Sequence, residues 1–403
     1  DLTLAIAALG FAGAGDITLN GTSTVVGATV LNAARDANVS GTLTGGGAVT
    51  IAGARNIGVT GAINATADLV LAAAGADVTA SGPLDVGGNF NATAGGNLTL
   101  GGPTHVGQAT TLAAGNDLTV SGALSGQGAG QLSAGHDLTG AGGAFAQSAT
   151  FAAGHDIALS GAVQGASVAL TAGNSLSLTD ASSTGAMTLK ANGLSGAGTI
   201  TINGKANADG VVSASAAQDV VVHGTLTSND AIALTGARDV NVTGQIQAAK
   251  NVSLTATAGN VTTSGALSAN GDLSVQAGTN VSLGGQVSAV GATAVTAGND
   301  LTLAGSVTGQ GAGQLNAGHD LNGAGSAVFV QSAALDAGHD IDLGGNVQGQ
   351  GVTLTAGNDL TVTNAQSTST LDLTAKGAAG GGTITLNGQI AATAAATFTA
   401  AKD

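Results

Sequence analysis

The chain has 403 residues, of which 69 are Gly, and its formal net charge is −15 although only 8 % of its residues are charged. An ordinary globular enzyme carries about 25 % charged residues, and collagen needs a strict Gly-X-Y period that this chain lacks. There is no Cys, Trp or Tyr, and the eight basic residues are too few for the positive surface that nucleic acid or an anionic membrane requires.

Targeting and membrane signals are also missing from the sequence. The opening Asp1–Leu4 lacks the basic region of a signal peptide, and no apolar stretch approaches the roughly 20 residues that span a bilayer. The lack of Cys excludes disulfides and thiolate zinc sites. We therefore expect no nucleic-acid partner, no membrane insertion and no cofactor.

A short repeat runs through the chain and determines its organisation. A turn made of a small residue, Gly, a polar residue and Asp or Asn recurs ahead of a Leu, Ile or Val position, mostly every 19 to 21 residues. The spacing becomes longer or doubled near 185–198, 251–260 and 370–382, and Ala400–Asp403 forms one more such turn. The anchor residues are Asp16, Asp36, Asn56, Asp77, Asn97, Asp117, Asp137, Asp156, Asp219, Asp239, Asp300, Asp320, Asp340 and Asp359.

A longer duplication contains the short repeat. The seven residues 126–132 recur without change at 309–315, and the segment 198–201 recurs at 382–385. A block of about nine coils, roughly 111–203, is therefore repeated at about 295–387, including its irregular spacing. We predict one continuous array over 1–403, excerpted from a longer chain.

Each unit reads as three short strands separated by turns. In the unit that follows Asp117, apolar and polar residues alternate over 118–120, then a second strand is expected at 123–125 and a third near 131–133. Gly at the breaks is expected to supply positive φ, and Asn or Asp to cap the turns. Helices are disfavoured because Gly recurs every five to ten residues.

One coil cannot bury enough apolar surface to offset the cost of ordering about 20 residues at about 1–2 kcal/mol each, so the coils must stack. Parallel stacking at about 4.8 Å gives a rod on the order of 95 Å long for about 20 coils. Because parallel crossovers are right-handed, we predict an all-β, right-handed parallel β-helix of about 20 coils, with three short strands per 19–21-residue coil.

The unit, typified by Ala134-Gly135-His136-Asp137-Leu138, resembles the repeats of filamentous haemagglutinin and related two-partner-secretion exoproteins. The resemblance covers essentially the whole chain and is shared by adhesins, haemolysins and contact-dependent inhibition toxins. The Asn-Pro motifs of the family's secretion domain are not found, since the only Pro residues are Pro83 and Pro103.

The resemblance implies a non-enzymatic structural shaft of a secreted or surface-exposed adhesin, outside a Gram-negative bacterium. Its implied partners are an outer-membrane two-partner-secretion transporter, reached through a region outside this chain, and a receptor or glycan on a host or neighbouring cell. The stalk of a contact-dependent growth-inhibition toxin is the alternative, followed by a calcium-binding or an ice-binding repeat adhesin.

The candidate sites each have an ordinary explanation. His136 and His155, like His319 and His339, occupy equivalent turn positions on adjacent coils, but His also alternates there with Asn, and a metal site needs three or four ligands. We therefore predict no metal, catalytic or cofactor-binding residues. The column of Asp anchors favours turn capping over calcium, because the calcium nonapeptide repeats at a much shorter period than this unit.

Two further alternatives are disfavoured by the residues available. A polysaccharide-cleaving site would need clustered carboxylates, a basic residue and aromatic walls, and Arg35, Arg55 and Arg238 are expected to lie far apart. The pair Asp340 and Asp342 is expected to be solvated charge. The Thr pairs at 353 and 355 and at 361 and 363 would suit ice binding, but outward Thr is common in strands.

Overall fold

The computed structural model describes residues 3–9 and 15–402, and every regular element in these ranges is a β-strand. The chain divides into two compact units, Asp1–Gly198 and Thr199–Asp403. The predicted anchor at Asp403 lies outside the described residues.

The strands of the first unit are β1 (Leu4–Ala8), β2 (Ile17–Leu19), β3 (Ser23–Val25), β4 (Thr29–Ala33), β5 (Ala37–Val39), β6 (Leu43–Gly45), β7 (Val49–Gly53), β8 (Ile57–Val59), β9 (Ile63–Ala65), β10 (Leu69–Ala73), β11 (Val78–Ala80), β12 (Leu84–Val86), β13 (Phe90–Ala94), β14 (Leu98–Leu100), β15 (Thr104–Val106), β16 (Thr110–Ala114), β17 (Leu118–Val120), β18 (Leu124–Gly126), β19 (Gly130–Ala134), β20 (Leu138–Gly140), β21 (Gly143–Phe145), β22 (Ser148–Ala153), β23 (Ile157–Gly165), β24 (Ser167–Ala172), β25 (Leu176–Ser183) and β26 (Met187–Ala191).

The strands of the second unit are β27 (Ile200–Ile202), β28 (Lys205–Ala208), β29 (Val212–Ala216), β30 (Val220–Val222), β31 (Thr225–Ser228), β32 (Ile232–Gly236), β33 (Val240–Val242), β34 (Gln245–Ala248), β35 (Val252–Ala256), β36 (Val261–Thr263), β37 (Leu267–Ala269), β38 (Leu273–Ala277), β39 (Val281–Leu283), β40 (Val287–Ala289), β41 (Thr293–Ala297), β42 (Leu301–Leu303), β43 (Val307–Gly309), β44 (Gly313–Ala317), β45 (Leu321–Gly323), β46 (Ala327–Phe329), β47 (Ala333–Ala337), β48 (Ile341–Gly349), β49 (Val352–Ala356), β50 (Leu360–Ser367), β51 (Leu371–Ala375), β52 (Ile384–Leu386), β53 (Ile390–Ala392) and β54 (Ala396–Ala400).

Each coil contributes one longer strand to a first sheet and two short strands to a second sheet. The longer strands are β1 and every third strand to β22, then β24 and β26, and in the second unit β29 and every third strand to β47, then β49, β51 and β54. Neighbouring strands pair in parallel, for example at Thr110 and Gly130 of successive coils. This confirms an all-β parallel solenoid with close to the predicted number of coils, whereas its right-handedness stays a prediction.

Two coils in each unit contain two strands, whereas the other coils contain three separate strands. In these coils, β23, β25, β48 and β50 run as strands of eight or nine residues through the corner where other coils have two short strands. The ladder register shifts there, between Leu159 and Ala162 in β23 and between Leu343 and Asn346 in β48. A locally irregular strand thus replaces a turn without breaking the stack.

The core lies inside the coils and is built from the alternating apolar residues. In β10, for example, Leu69, Leu71 and Ala73 are buried, while Val70 and Ala72 face outward. The largest buried side chains are Phe90 and Phe151. A period of two in the sequence therefore becomes an inside-outside alternation on every face of the coil.

Glycines at the turn between the two short strands are required by close packing of the coils. We call these residues the glycine column: Gly41, Gly61, Gly82, Gly102 and Gly122 in the first unit, and Gly224, Gly244, Gly265, Gly285 and Gly305 in the second. A Cβ on Gly61 would lie 1.8 Å from the carbonyl oxygen of Gly41, and one on Gly244 would lie 1.7 Å from that of Gly224. Their φ angles lie outside the left-handed region, so the expectation of positive φ is wrong for these glycines, whereas Gly142, at the same break between β20 and β21, has a φ of 86°.

Apart from Gly140, Gly142 and Gly323 at turns between short strands, positive φ in the described residues is concentrated at the irregular spacings. We call residues 192–198 and 376–382 the wide loops. Gly193 and Gly377 have φ of 71° and 69°, and Gly198 and Gly382 have φ of 109° and 99°. In the second unit the wide loop lengthens its coil, since Leu371 pairs with Ala396 of the next coil, whereas Val352 pairs with Leu371.

The first coil of the chain is equally long, because Leu4 pairs with Thr29. Gly15, in the same coil, has a φ of 118° and so shares the left-handed conformation of the wide-loop glycines. The predicted irregularity near 251–260 is smaller. There Val252 pairs with Leu273 of the following coil, whereas Ile232 pairs with Val252. The coil that begins at Val252 is therefore one residue longer than the coil before it.

Candidate functional site

The anchor residues of the repeat form one polar corner, where the longer strand of each coil turns into the first short strand. Their side-chain oxygens stack from coil to coil along this corner. We call the stack the Asx column: Asp16, Asp36, Asn56, Asp77, Asn97, Asp117, Asp137 and Asp156 in the first unit, and Asp219, Asp239, Asn260, Asn280, Asp300, Asp320, Asp340 and Asp359 in the second.

The Asx column joins successive coils. The side chain of Asp77 accepts a hydrogen bond from the backbone N–H of Asn97 at 2.7 Å, and the Asp137 carboxylate accepts one from the N–H of Asp156 at 3.0 Å. Turn capping within each coil was expected from the sequence. The acceptor instead serves the following coil, because parallel stacking brings that coil's unpaired N–H directly over it.

The residue before most of the anchors supplies a side-chain donor to this column, whereas Gly or Ala precedes Asp16, Asp77, Asn97 and Asn260. Asn116 Nδ2, for example, donates to Asn97 Oδ1 at 2.8 Å and to Asp117 Oδ2 at 3.2 Å. In the sequence, the signal for this arrangement is a side chain with a hydrogen-bond donor directly before the anchor residue. His and Asn were noticed at this position in the sequence, but Arg was missed. We call these residues the donor column: Arg35, Arg55, Asn116, His136, His155 and Asn174 in the first unit, and Arg238, Thr279, Asn299, His319, His339 and Asn358 in the second.

Arginine forms the strongest ion pairs of the corner. Arg55 pairs with Asp36 of the preceding coil through both Nε and a terminal nitrogen. This guanidinium, with the N–H of Asn56, lowers the pKa of Asp36 from 3.8 to about 2 although burial acts in the opposite direction. The expectation that the Arg residues lie far apart is wrong for Arg35 and Arg55, which occupy adjacent coils.

The histidines form two stacked pairs in the donor column. The rings of His136 and His155 are parallel within 4°, with centroids 4.8 Å apart, and those of His319 and His339 are parallel within 5° at 4.7 Å. Of all the residues that the structure describes, only these pairs, each with one intervening Asp, bring three metal-ligating side chains within 4.8 Å of one another.

Each imidazole in these pairs places Nδ1 between two carboxylates. His155 Nδ1 lies 3.1 Å from Asp137 Oδ1 and 3.2 Å from Asp156 Oδ2. Burial opposes ionisation of Asp137, but the N–H of Asp156 and the two imidazoles outweigh it, so the pKa of Asp137 lies below its ordinary value. Asp320 has the corresponding environment in the second unit, and its pKa is lowered in the same way.

The other candidate residues are not brought together as active sites. Asp340 belongs to the Asx column, where it accepts the N–H of Asp359 at 2.9 Å, and Asp342 faces outward from β48. The Thr pair at 353 and 355 lies in β49 of the first sheet, whereas the pair at 361 and 363 lies in β50 of the second sheet. The two Thr pairs therefore do not share a flat face of the kind that ice binding would need.

A shallow groove in the second unit was not anticipated from the sequence. Its floor includes Ser268, Ser288, Thr308, Val328 and Gln348, one from each of five successive coils. Phe329 lines the groove from the core side, and its ring fills the space left by two glycines of the preceding coil. The sequence signal was a Phe one coil after Gly309 and Gly313, which are the two positions that accommodate the ring.

Across the described residues, no helix is long and apolar enough to span a membrane. Residues 1–58, 304–364 and 366–403 match the haemagglutinin repeat family, and residues 77–123 match a family described as repeats of unknown function. Neither the curated proteins nor the solved structures gave a match. Together with the β-solenoid fold, these haemagglutinin matches at both ends of the chain are consistent with a repeat region of the filamentous haemagglutinin type.

Proposed function

We propose that this chain is a section of the shaft of a large filamentous adhesin, secreted or displayed on the surface of a Gram-negative bacterium. The observation that carries the proposal is the uniform pairing of coils, in which every longer strand of a unit bonds in parallel to the next. Such an array is extended by adding coils and needs no closing element between them. The haemagglutinin repeats support the adhesin-like role.

A shaft has a mechanical role, and the side chains present agree with it. The core residues of the coils are fully buried, and the charged residues of the polar corner are used in hydrogen bonds between coils. The carboxylates considered for catalysis, Asp340 and Asp342, face different partners in β48 and its preceding turn. We therefore propose that the chain is not an enzyme. From its haemagglutinin repeats we also propose that a partner transporter exports it.

Saturable binding of the fluorescently labelled full chain to epithelial cells tests whether the shaft itself is adhesive. We expect binding that the unlabelled folded chain displaces, with low affinity per coil and gain through multivalency. The heat-unfolded labelled chain is the control for nonspecific adsorption. Saturable binding to neighbouring bacterial cells alone would favour the stalk of a contact-dependent inhibition toxin.

Two results would contradict the proposed structural role. One is turnover of an acidic polysaccharide by the folded chain, which would require a catalytic site. The other is a strict need for calcium in folding, shown by loss of the β-sheet circular dichroism signal on chelation. A strict need for calcium would favour the alternative function of a calcium-binding repeat adhesin.

A further inference from the structure

The two histidine pairs present a chemical feature that the structural role does not use. Nδ1 of each imidazole is held between carboxylate oxygens, for instance at 3.2 Å from both Asp117 Oδ1 and Asp137 Oδ2 in the case of His136. An ionised carboxylate only accepts hydrogen bonds, so Nδ1 must be the nitrogen that carries the proton. The lone pair of each neutral imidazole is therefore on Nε2.

The Nε2 atoms are accessible from solvent. The side chains of His136 and His155 are 54 % and 31 % exposed, and those of His319 and His339 are 53 % and 35 % exposed. Within the described part of the chain, these Nε2 atoms have no hydrogen-bond partner. Parallel stacking makes the two nitrogens of a pair point in the same direction, about one strand spacing apart.

We propose that each histidine pair binds one divalent transition-metal ion through its two Nε2 atoms, giving two equivalent sites per chain. A histidine that ligates a metal through one nitrogen characteristically donates its other N–H to a carboxylate, which fixes the tautomer and the ring orientation. Asp117, Asp137 and Asp156 supply those acceptors in the first unit.

The arrangement also limits the type of ion. Imidazole suits Zn²⁺, Cu²⁺ and Ni²⁺, whereas calcium takes oxygen ligands. At a tetrahedral zinc the two nitrogens would lie about 3.3 Å apart, so the exposed rings must tilt toward each other, and water completes the shell. The proposed sites depart from the prediction of no metal-binding residues, which rested on the small number of ligands, because the carboxylates behind the rings are orienting groups.

The pair recurs in the duplicated block. His136, Asp137 and His155 are repeated as His319, Asp320 and His339 in the second unit, with the same stacking and the same Nδ1 contacts. His105 and His223 show what an unpaired histidine does on this surface. Their Nδ1 atoms bond to the hydroxyls of Ser125 and Thr243 and have no stacked ring beside them.

Isothermal titration of Zn²⁺ into the full chain tests the stoichiometry. We expect two ions per chain, one in H136N/H155N, and none when His319 and His339 are also replaced by Asn. Asn is the natural residue of the donor column at 116 and 299, so these variants keep the hydrogen bonds between coils. His223→Asn is the matched control and should leave two ions bound.

An unchanged stoichiometry in the four-residue variant, or no saturable binding by the folded wild-type chain, would overturn the proposal. The ligating atom is tested by ¹H–¹⁵N correlation of the imidazole nitrogens on zinc addition. A shift of the Nε2 signals supports the proposed geometry, and loss of the Nδ1 proton contradicts it. Asp137→Asn should weaken binding at the first pair by about 10- to 100-fold while retaining the fold.

Discussion

In the glycine column, the lack of a Cβ atom allows successive coils to pack closely. The glycine column has no room for a side chain, because a Cβ on each of its glycines would collide with a carbonyl oxygen of the preceding coil. Sequence reasoning found these glycines but gave them the wrong cause, since a list of residues shows the position of Gly and not the backbone above it. The strand alternation at 118–120, by contrast, was fully predictable from its apolar period.

Replacing Gly244 by Ala should destabilise the fold. The added Cβ would lie 1.7 Å from the carbonyl oxygen of Gly224, and relief requires the coils to separate. We expect the free energy of unfolding to fall by about 1–3 kcal/mol, measured by urea denaturation.

Gly21 provides the matched control for that substitution. It occupies a corresponding turn, but a Cβ built on Gly21 meets no atom within 4 Å. Gly21→Ala should therefore be neutral, or stabilising by up to about 1 kcal/mol through the unfolded state. Equal losses in the two variants would show that close approach is not the reason for Gly244.

The Arg55–Asp36 ion pair predicts a defined pH dependence of stability. The pKa of Asp36 is lowered from 3.8 to about 2 in the folded chain, so its contribution to stability is present above about pH 4 and is lost as the pH falls toward 2. Arg55→Gln should destabilise the chain near neutral pH and lose that effect at low pH. Chemical denaturation of both chains between pH 2 and pH 7 measures the difference.

Lys190→Gln is the control for removing one positive charge, since Lys190 is exposed on β26. Its difference from the wild-type chain should be small and should not follow the titration of Asp36. A difference for Arg55→Gln that grows as the pH falls would contradict the assigned ion pair. Gln already occupies the equivalent position before Asp219, so the substitution is compatible with the corner.

At the scale of the element, the coil is defined by its ladders and tolerates extra chain between them. The wide loop of the second unit leaves its flanking strands in register, since Leu371 pairs with Ala396 as regularly as Val352 pairs with Leu371. The sequence showed that spacing changed at both wide loops. It could not show that β23 and β48 pass through a corner as single strands, because their residues also fit two short strands with a turn.

Shortening a wide loop should preserve the fold. Deleting residues 377–381 brings the long coil between Leu371 and Ala396 back to the regular length found between Thr110 and Gly130. The strands on either side keep their ladder partners, because the deleted residues belong to no strand. We expect an unchanged β-sheet circular dichroism spectrum and a small change in melting temperature.

Deleting the five residues of β51 (Leu371–Ala375) is the length-matched comparison. It removes three fully buried side chains and one rung of the first sheet, so cooperative melting of the second unit should be lost or strongly lowered. Similar melting of the two deletion variants would mean that the wide loop itself is a required structural element.

At the scale of the whole chain, negative charge accumulates along the repeats. The net charge is −15, and Asp117, Asp137 and Asp156 occupy three successive positions of the Asx column. Salt should therefore stabilise the fold by screening self-repulsion, whose range falls from about 30 Å at 0.01 M to about 3 Å at 1 M. Melting temperature measured across this range should rise, and a steady fall would show that attractive ion pairs dominate.

The long duplication in the sequence bears on features that the two units share. Its register predicted that both units carry a wide loop and a histidine pair at matching places, and the structure contains both. The direction of each imidazole, and the carboxylates behind it, depended on which residues adjacent coils bring face to face. That information lies in the stacking of neighbouring coils, which no single repeat contains.

The Asx column has a consequence for how such chains change length. The coils of the Asx column offer the same kind of acceptor on one side and the same amide on the other, as the bonds from Asn97 to Asp77 and from Asp359 to Asp340 illustrate. At this corner, such coils can therefore follow one another without a specially fitted junction. Gene duplication can therefore add blocks of coils and lengthen the chain, while the hydrogen bonds between coils at this corner stay the same.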